Sequence, residues 1–447
     1  MPRSEHTVSR ADISEYALKV LYRLDKNGFQ AYLVGGGVRD VLLGHHPKDF
    51  DIVTDATPEE VRSIFSNCRL IGRRFRLAHV FFGREIIEVA TFRGPTQEEG
   101  GGNQGMILRD NVYGTLEEDA WRRDFTVNAL YYNIADFSVV DYTGGLKDLQ
   151  DKVLRIIGDP HQRLREDPVR ILRAMRFAAK LDLQLLPDLE SAMRESVHLL
   201  AQVSASRLFE EVLKMLHNGA AMKVYTHLQH IGLFKQLFPQ TRPDSKLVEL
   251  LMMNTDKRVQ EGKPVAPAFL FATLLWSPLC ELIIHYLGTG ENEFSARLKA
   301  MNAVLARQGK QLNIPKRITL MVKETWAMQF RLERNQGKKA ERLLYDQRFR
   351  AGYDLLVLRA QAGEPVSALA NWWTAYTEGS AEDRELLSHS LGKDLKAPKK
   401  SKKSKKSKKS ELAVLVKVIE TTPVQESAEF KLEADSPFSD NFYFDEI

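Results

Sequence analysis

The chain has 447 residues, 43% hydrophobic and 28% charged, with a formal charge of +5 and only two cysteines, Cys68 and Cys280. At about 150 residues per domain that length gives a prior of roughly three domains, and two cysteines build neither a disulfide framework nor a zinc ribbon, so a reducing compartment is expected. No apolar run approaches the roughly 18 residues of a membrane span, and the opening MPRSEHTVSRADIS has no apolar signal core, which argues against a span and a secretory leader.

In chain order, ISEYALKVLYRLDKNG reads as an amphipathic helix stopped by Gly28. FQAYLVG is a short strand, VRDVLLG a short helix ending at Gly44, and KDFDIVT a second strand. Thr57 and Pro58 open a helix in TPEEVRSIF. RLAHVFFGREIIEVATF is a hairpin turning at Gly83-Arg84, followed by a glycine-rich loop over 94–105. From residue 158 the pattern becomes helical, with long 3.6-period stretches at 168–181, 205–217, 316–334 and 340–361. Residues 393–410 hold ten lysines and one aspartate, whereas 411–447 hold nine acidic and two basic side chains. Such a Lys/Ser run buries too little apolar surface to order itself, so a disordered C-terminus is expected. The run is either a solvated tail or a salt-dependent grip on nucleic-acid phosphates; the apolar ELAVLVKVIE after it has no assigned role.

Two local patterns carry chemistry. Asp49-Phe50-Asp51 within a strand puts both carboxylates on one face and the ring on the other. Paired carboxylates repel unless a cation lies between them, and hard oxygen donors suit Mg²⁺ bridging to phosphates. Upstream, LVGGGVRDVLLG runs strand, Gly35-Gly36-Gly37, helix, a turn that lets backbone N–H groups approach an anion. Arg39 in the first helical turn can fork onto a phosphate. The spelling is neither a P-loop nor a complete Rossmann fingerprint. Alone, each pattern is as easily structural; together they describe a triphosphate cradle beside a metal pair.

These residues resemble the class II nucleotidyltransferases, the family of bacterial CCA-adding enzymes and poly(A) polymerases. The resemblance runs through LVGGGVRDVLLG, PKDFDIVTDATPEEV, EVATFR, RRDFTVNALYYN, DYTGGLKDL and REDPVRILRAMRFAAKL, in the family's order over residues 30–181. It implies a polymerase-β-like mixed α/β head over 1–157, a helical neck with a nucleotide-recognition motif over 158–225, a helical RNA-binding body over 226–392 and a tail over 393–447. It implies that Asp49 and Asp51 bind two divalent ions (Mg²⁺, with Mn²⁺ as a substitute), and that RNA attacks the α-phosphorus of a nucleotide. Asp124 in RRDF matches an aspartate counted with the family's active site and is taken as the third catalytic acid; strand topology alone would favour Glu88, for which a buried or salt-bridged structural role is at least as good a reading, and a ribose or helix-capping role for Asp124 stays open. Gly36, Gly37 and Arg39 fall to the nucleotide phosphates, and Asp167 and Arg170 to the edge of the base, although Asp167 and Pro168 also read as an N-cap and first helical residue.

The segment LIGRRFRLAHVFF, Leu70 to Phe82, resembles the stretch that marks the poly(A) branch. His79 within it reads as a strand histidine with a satisfied hydrogen bond. The expectation is therefore an adenylyltransferase that uses ATP and RNA 3′ ends in a bacterial cytoplasm and feeds the RNA-decay machinery. The rivals are a CCA-adding enzyme and a non-catalytic RNA-binding scaffold.

Overall fold

The structure is a computed structural model that describes residues 1–47, 49–72, 76–94, 112–333 and 338–390. The expectations for the tail, for most of the glycine-rich loop and for Arg73, Arg74 and Phe75 lie outside these residues. The chain divides into two compact units, Met1–Val203 and a second from Ser204 onward.

The first unit is built on a mixed seven-stranded sheet of β1 (Ala31–Val34), β2 (Asp51–Thr54), β3 (Cys68–Ile71), β4 (Leu77–Phe82), β5 (Glu85–Thr91), β6 (Leu130–Asn133) and β7 (Val139–Asp141), in the order β3-β4-β5-β2-β1-β6-β7. β2 and β5 are parallel, with Ile52 opposite Val89; the other neighbours are antiparallel. The first helix, α1 (Glu15–Lys26), is capped by the Ser14 hydroxyl and buries the stripe Ala17, Val20, Leu21 and Leu24. Gly35 leads into α2 (Gly36–Leu42), whose first two residues are the other two glycines of the turn. Thr57 and Glu60 form a reciprocal capping box on α3 (Pro58–Ile64), the start the sequence predicts. One sheet face carries Val34, Val53, Phe92 and Tyr131 against Leu116 and Ala120 of α4 (Leu116–Trp121).

After β7 come α5 (Gly145–Gln150), β8 (Val153–Leu154), α6 (Pro160–Glu166), α7 (Arg170–Leu181), β9 (Gln184–Leu185) and α8 (Pro187–Ser196). The parallel pair β8–β9 corrects the all-helical reading beyond 158: two residues exchange ladder bonds across the α6–α7 crossover. They are too few to imprint a period on the sequence.

The second unit is helical among its described residues, from Ala205–Leu216, capped by Ser204, to Ala381–Ser390. The stretch 340–361, read as one periodic run, is two helices, Lys338–Leu344 and Phe349–Gln361. Asp346 makes the break, because its carboxylate accepts the Arg348 N–H at 2.9 Å and pairs with Arg331 at 2.7 Å. The second of these helices packs so tightly that a Cβ at Gly352 would stand 2.2 Å from Met328 Cγ. Trp326 and Trp373 are fully buried and donate their indole N–H groups to Ala272 and Leu332 carbonyls, at 2.8 and 2.9 Å. No single helix among the described residues is long and apolar enough to cross a membrane.

Candidate functional site

The glycine turn and the acidic pair are brought together at one end of β1 and β2. Val34, the last residue of β1, lies opposite Asp51, the first of β2. Gly35 then takes φ +69° and ψ −128°, a conformation only glycine adopts without strain, and donates its N–H to Leu130 O at 3.0 Å. A Cβ at Gly37 would stand 3.5 Å from Asp49 O and 3.6 Å from Phe50 Cδ1, so α2 lies in van der Waals range of the acidic segment. Asp49 and Asp51 are exposed and Phe50 between them is half-buried, the alternation expected of a strand. The strand itself starts only at Asp51; Asp49 sits on the segment leading into it.

Arg39 differs from expectation. It is 3% exposed, and its fork is already engaged: Nε and Nη2 donate to Asp40 Oδ1 at 2.8 and 2.6 Å, and Nη1 donates to Asn128 Oδ1. Its guanidinium lies over the Phe177 ring, 5.3 Å from the centroid. Nη2 stands 3.5 Å from where a Gly36 Cβ would be, so Arg39 supports the turn from beneath rather than projecting from it.

Asp124 belongs to the same buried network. Its Oδ2 pairs with Arg173 Nη2 at 2.6 Å and Nε at 2.7 Å, while Oδ1 accepts from the Phe125 N–H at 2.8 Å and from Asn128 Nδ2 at 3.2 Å. Burial alone would push the Asp124 carboxyl up, but Arg173 and these hydrogen bonds hold it below the usual carboxylate range. Glu88 lies one step ahead of the Ile52–Val89 pair on β5, and its carboxylate is 2.9 Å from His79 Nε2 on β4. Among the described residues no group of three or more His, Cys, Asp and Glu side chains is gathered to hold a metal. Neither Asp124 nor Glu88 therefore joins Asp49 and Asp51 in a three-acid cluster here.

On the segment expected to read the base, the capping is displaced by two residues. The Asp167 carboxylate accepts the Val169 N–H at 3.2 Å, Pro168 lies in the turn, and α7 starts at Arg170. Arg170 is 7% exposed and donates Nη1 to Arg163 O at 2.6 Å and to Glu166 at 3.1 Å. Arg173 and Arg176 share its face, each over the Phe177 ring.

Sequence reading missed Asn128 and the arginines around RRDF. Asn128 joins Arg39 to Asp124, and the one signal for it was its place in RRDFTVNAL. Arg163 donates Nη2 to the carbonyls of Arg122 and Arg123, both at 2.7 Å, fixing that loop to α6. Burial, then repulsion from Arg93, Arg163, Arg123 and Arg170, pulls Arg122 down to about 10. Arg93 and Arg163 are lowered chiefly by burial as well. A crowd of partly buried guanidinium groups is stabilised by a polyanion entering among them.

As a donor set, two exposed hard carboxylates at a strand edge beside a glycine turn fit a divalent cation shared with substrate phosphates. Mg²⁺ sites of that kind use one or two carboxylates, with phosphates and water completing the shell.

Comparison with known proteins places this arrangement. The chain matches the family model described as the poly A polymerase head domain over residues 31–155. It also matches the models described as "Probable RNA and SrmB- binding site of polymerase A" over 182–244 and as the polymerase A arginine-rich C-terminus over 289–409. It is 48% identical over 419 residues to poly(A) polymerase I of Salmonella typhi, covering 90% of each chain. Against poly(A) polymerase I of Haemophilus influenzae it is 45% identical over 416 residues, 89% of this chain and 92% of the relative. The CCA-adding enzyme of Bacillus licheniformis is 37% identical over 226 residues, 51% of this chain and 56% of that one. Among solved structures, the Bacillus stearothermophilus CCA-adding enzyme in complex with CTP aligns with a TM-score of 0.55 at 23% identity, over 90% of this chain and 91% of that one. That likeness speaks for the fold alone.

Proposed function

This chain is a member of the poly(A) polymerase I family, and on that premise we propose that it adds AMP from ATP to RNA 3′ ends without a template, releasing pyrophosphate. The 48% identity to a poly(A) polymerase over nine-tenths of the chain carries the choice, since the CCA-adding relatives match between about half and two-thirds of it at 32–38% identity. In the cytoplasm of a bacterium such tails would mark RNAs for exonucleolytic decay.

The reaction is an in-line displacement: the RNA 3′-oxygen forms a bond to the α-phosphorus of ATP as the bond to pyrophosphate breaks. Asp49 and Asp51 would hold the divalent ions, Mg²⁺ or Mn²⁺, which when bound neutralise triphosphate charge and lower the pKa of the attacking hydroxyl. The turn Gly35–Gly37 seats the phosphates through its backbone, with Gly36 and Gly37 opening the approach and Arg39 bracing the turn from below. Asp124 acts here by holding Arg173 in place along α7, and Asp167 and Arg170 present the acceptor and donor set that reads the base. Nη1 of Arg170 is held by Arg163 O and Glu166, which fixes the guanidinium in the position from which it presents its donors.

The test is incorporation from each of the four nucleotides on a generic RNA and on a tRNA lacking its terminal CCA. Long tails from ATP alone are expected on both. Efficient CTP incorporation on the tRNA without ATP-only tails would make it a CCA-adding enzyme, and absence of pyrophosphate release would make it an RNA-binding scaffold.

A further inference from the structure

The first unit holds a cavity of about 280 Å³ whose lining contains none of the residues assigned above. It opens between the end of α4, the segment after β8 and the start of α8. Its volume lies just below the roughly 300–1,000 Å³ of drug-sized ligand pockets, which suits one ring system with a sugar. The floor is apolar, with Ile156 and Leu189 buried.

Three side chains give it a chemical character. Trp121 is 51% exposed at the rim, an unusual exposure for an indole that could pack inward. Arg155 is half-exposed and anchored at one edge: Nε sits 3.0 Å from Asp148, a buried carboxylate that also accepts the Thr126 hydroxyl at 2.7 Å. Its Nη1 donates to no described residue. Thr143 places a buried hydroxyl in the lining with no hydrogen-bond partner among the described residues. A buried hydroxyl without a partner is uncommon and marks a place where a polar ligand atom completes the set.

An aromatic face, an anchored guanidinium and an unmatched hydroxyl around an apolar slot suit a planar heterocycle with an attached phosphate. A lipid chain would leave the hydroxyl and Arg155 Nη1 unmatched, and a metal would find one exposed carboxylate, Asp188. We propose that this cavity is a second nucleotide subsite, separate from the transfer site, in which a nucleobase stacks on Trp121, hydrogen-bonds Thr143 and directs its phosphate to Arg155. The base comes either from the RNA strand upstream of its reacting end or from a free nucleotide. The inference rests on the adenylyltransferase reading only for the presence of both ligands.

The experiment uses the full chain and the variants Trp121→Ala, Trp121→Phe and Thr143→Val, leaving Arg155 alone because it pairs with Asp148. Binding of a fluorescein-labelled oligoadenylate is followed by anisotropy, and binding of AMP by equilibrium dialysis with divalent cations chelated; neither needs catalysis. If RNA supplies the base, Trp121→Ala weakens oligoadenylate binding and raises the KM for RNA about tenfold, the loss expected for one stacked base. Thr143→Val weakens it severalfold, Trp121→Phe retains most of the binding, and KM for ATP is unchanged. If a free nucleotide supplies it, the same ranking appears in AMP binding while oligoadenylate binding holds. Variants that keep the wild-type unfolding midpoint and bind both probes like wild type would overturn the subsite, whatever the transfer assay shows. A wild-type chain that binds in this manner yet releases no pyrophosphate would overturn the activity and leave the subsite standing.

Discussion

Replacing Asn128 separates the roles that its amide combines. It is 7% exposed, accepts from Arg39 with Oδ1 and donates to Asp124 with Nδ2 at 3.2 Å. Neither a carboxylate nor an apolar side chain does both at once. Asn128→Leu removes two hydrogen bonds to charged groups, each worth about 1.5–3 kcal/mol. Part of that is recovered, because Arg39 keeps two bonds to Asp40 and Asp124 keeps Arg173 and the Phe125 N–H. The expected cost is about 2–4 kcal/mol, a large fraction of the roughly 5–15 kcal/mol that holds a domain folded. Asn128→Asp keeps the Arg39 contact but sets a second carboxylate against Asp124. At 3.2 Å and an effective dielectric near 20 that repulsion has a ceiling of about 5 kcal/mol, reduced by the flanking guanidinium groups. Like charges raise one carboxyl pKa of the pair, so the penalty is full when both are ionised and falls as pH drops through that raised value. Urea midpoints at pH 5 and pH 7 should therefore converge toward wild type at the lower pH for Asn128→Asp and stay parallel to it for Asn128→Leu. Turnover with ATP should fall in both, because the glycine turn and α7 lose their common anchor. Identical pH dependence for the two variants, or an Asn128→Asp protein as stable as wild type at pH 7, would refute this reasoning.

Other expectations are more direct. Asp51→Asn should lower pyrophosphate release by about a thousandfold while circular dichroism and urea midpoint stay at wild-type values, since the side chain is exposed. Gly35→Ala should destabilise by about 1–3 kcal/mol in denaturant titrations because of its positive φ, whereas Gly37→Ala, whose added Cβ meets neighbours at 3.5 Å, should fold normally. Asp124, held below the usual carboxylate range, contributes stability that is complete above the ordinary carboxyl pKa near 4 and is lost as pH falls through its lower folded value. Asp124→Asn should therefore flatten the acid limb of the stability–pH curve below about pH 4 and leave the neutral limb parallel to wild type.

What could be read from the sequence was local. Thr57-Pro58 caps α3, Gly83 turns the hairpin, and Asp49, Asp51 and the glycine turn sit together, because each is decided within a few residues or one strand pairing. What could not be read depends on distant partners. The neighbouring Asp40 takes Nε and Nη2 of Arg39, but nothing nearby in the chain announces that Nη1 turns inward to Asn128, 89 positions away, rather than outward to phosphate. Nor does RRDF show that Asp124 is matched by Arg173, 49 positions on, instead of standing with the acidic pair. The break in 340–361 was hidden because Asp346 is tolerated by helical periodicity, and its effect needs Arg331 from the preceding helix. Two-residue strands such as β9 leave no periodic trace at all.

The account depends most on Asp49 and Asp51 serving as the cation-binding edge of the nucleotide site. Electron paramagnetic resonance of Mn²⁺ titrated into the full chain with α,β-methylene-ATP, which cannot release pyrophosphate, tests this without turnover. Bound Mn²⁺ should require the nucleotide analogue, and its affinity should fall at least about tenfold in Asp49→Ala and in Asp51→Ala. Equal Mn²⁺ affinity in the wild type and both variants would contradict it.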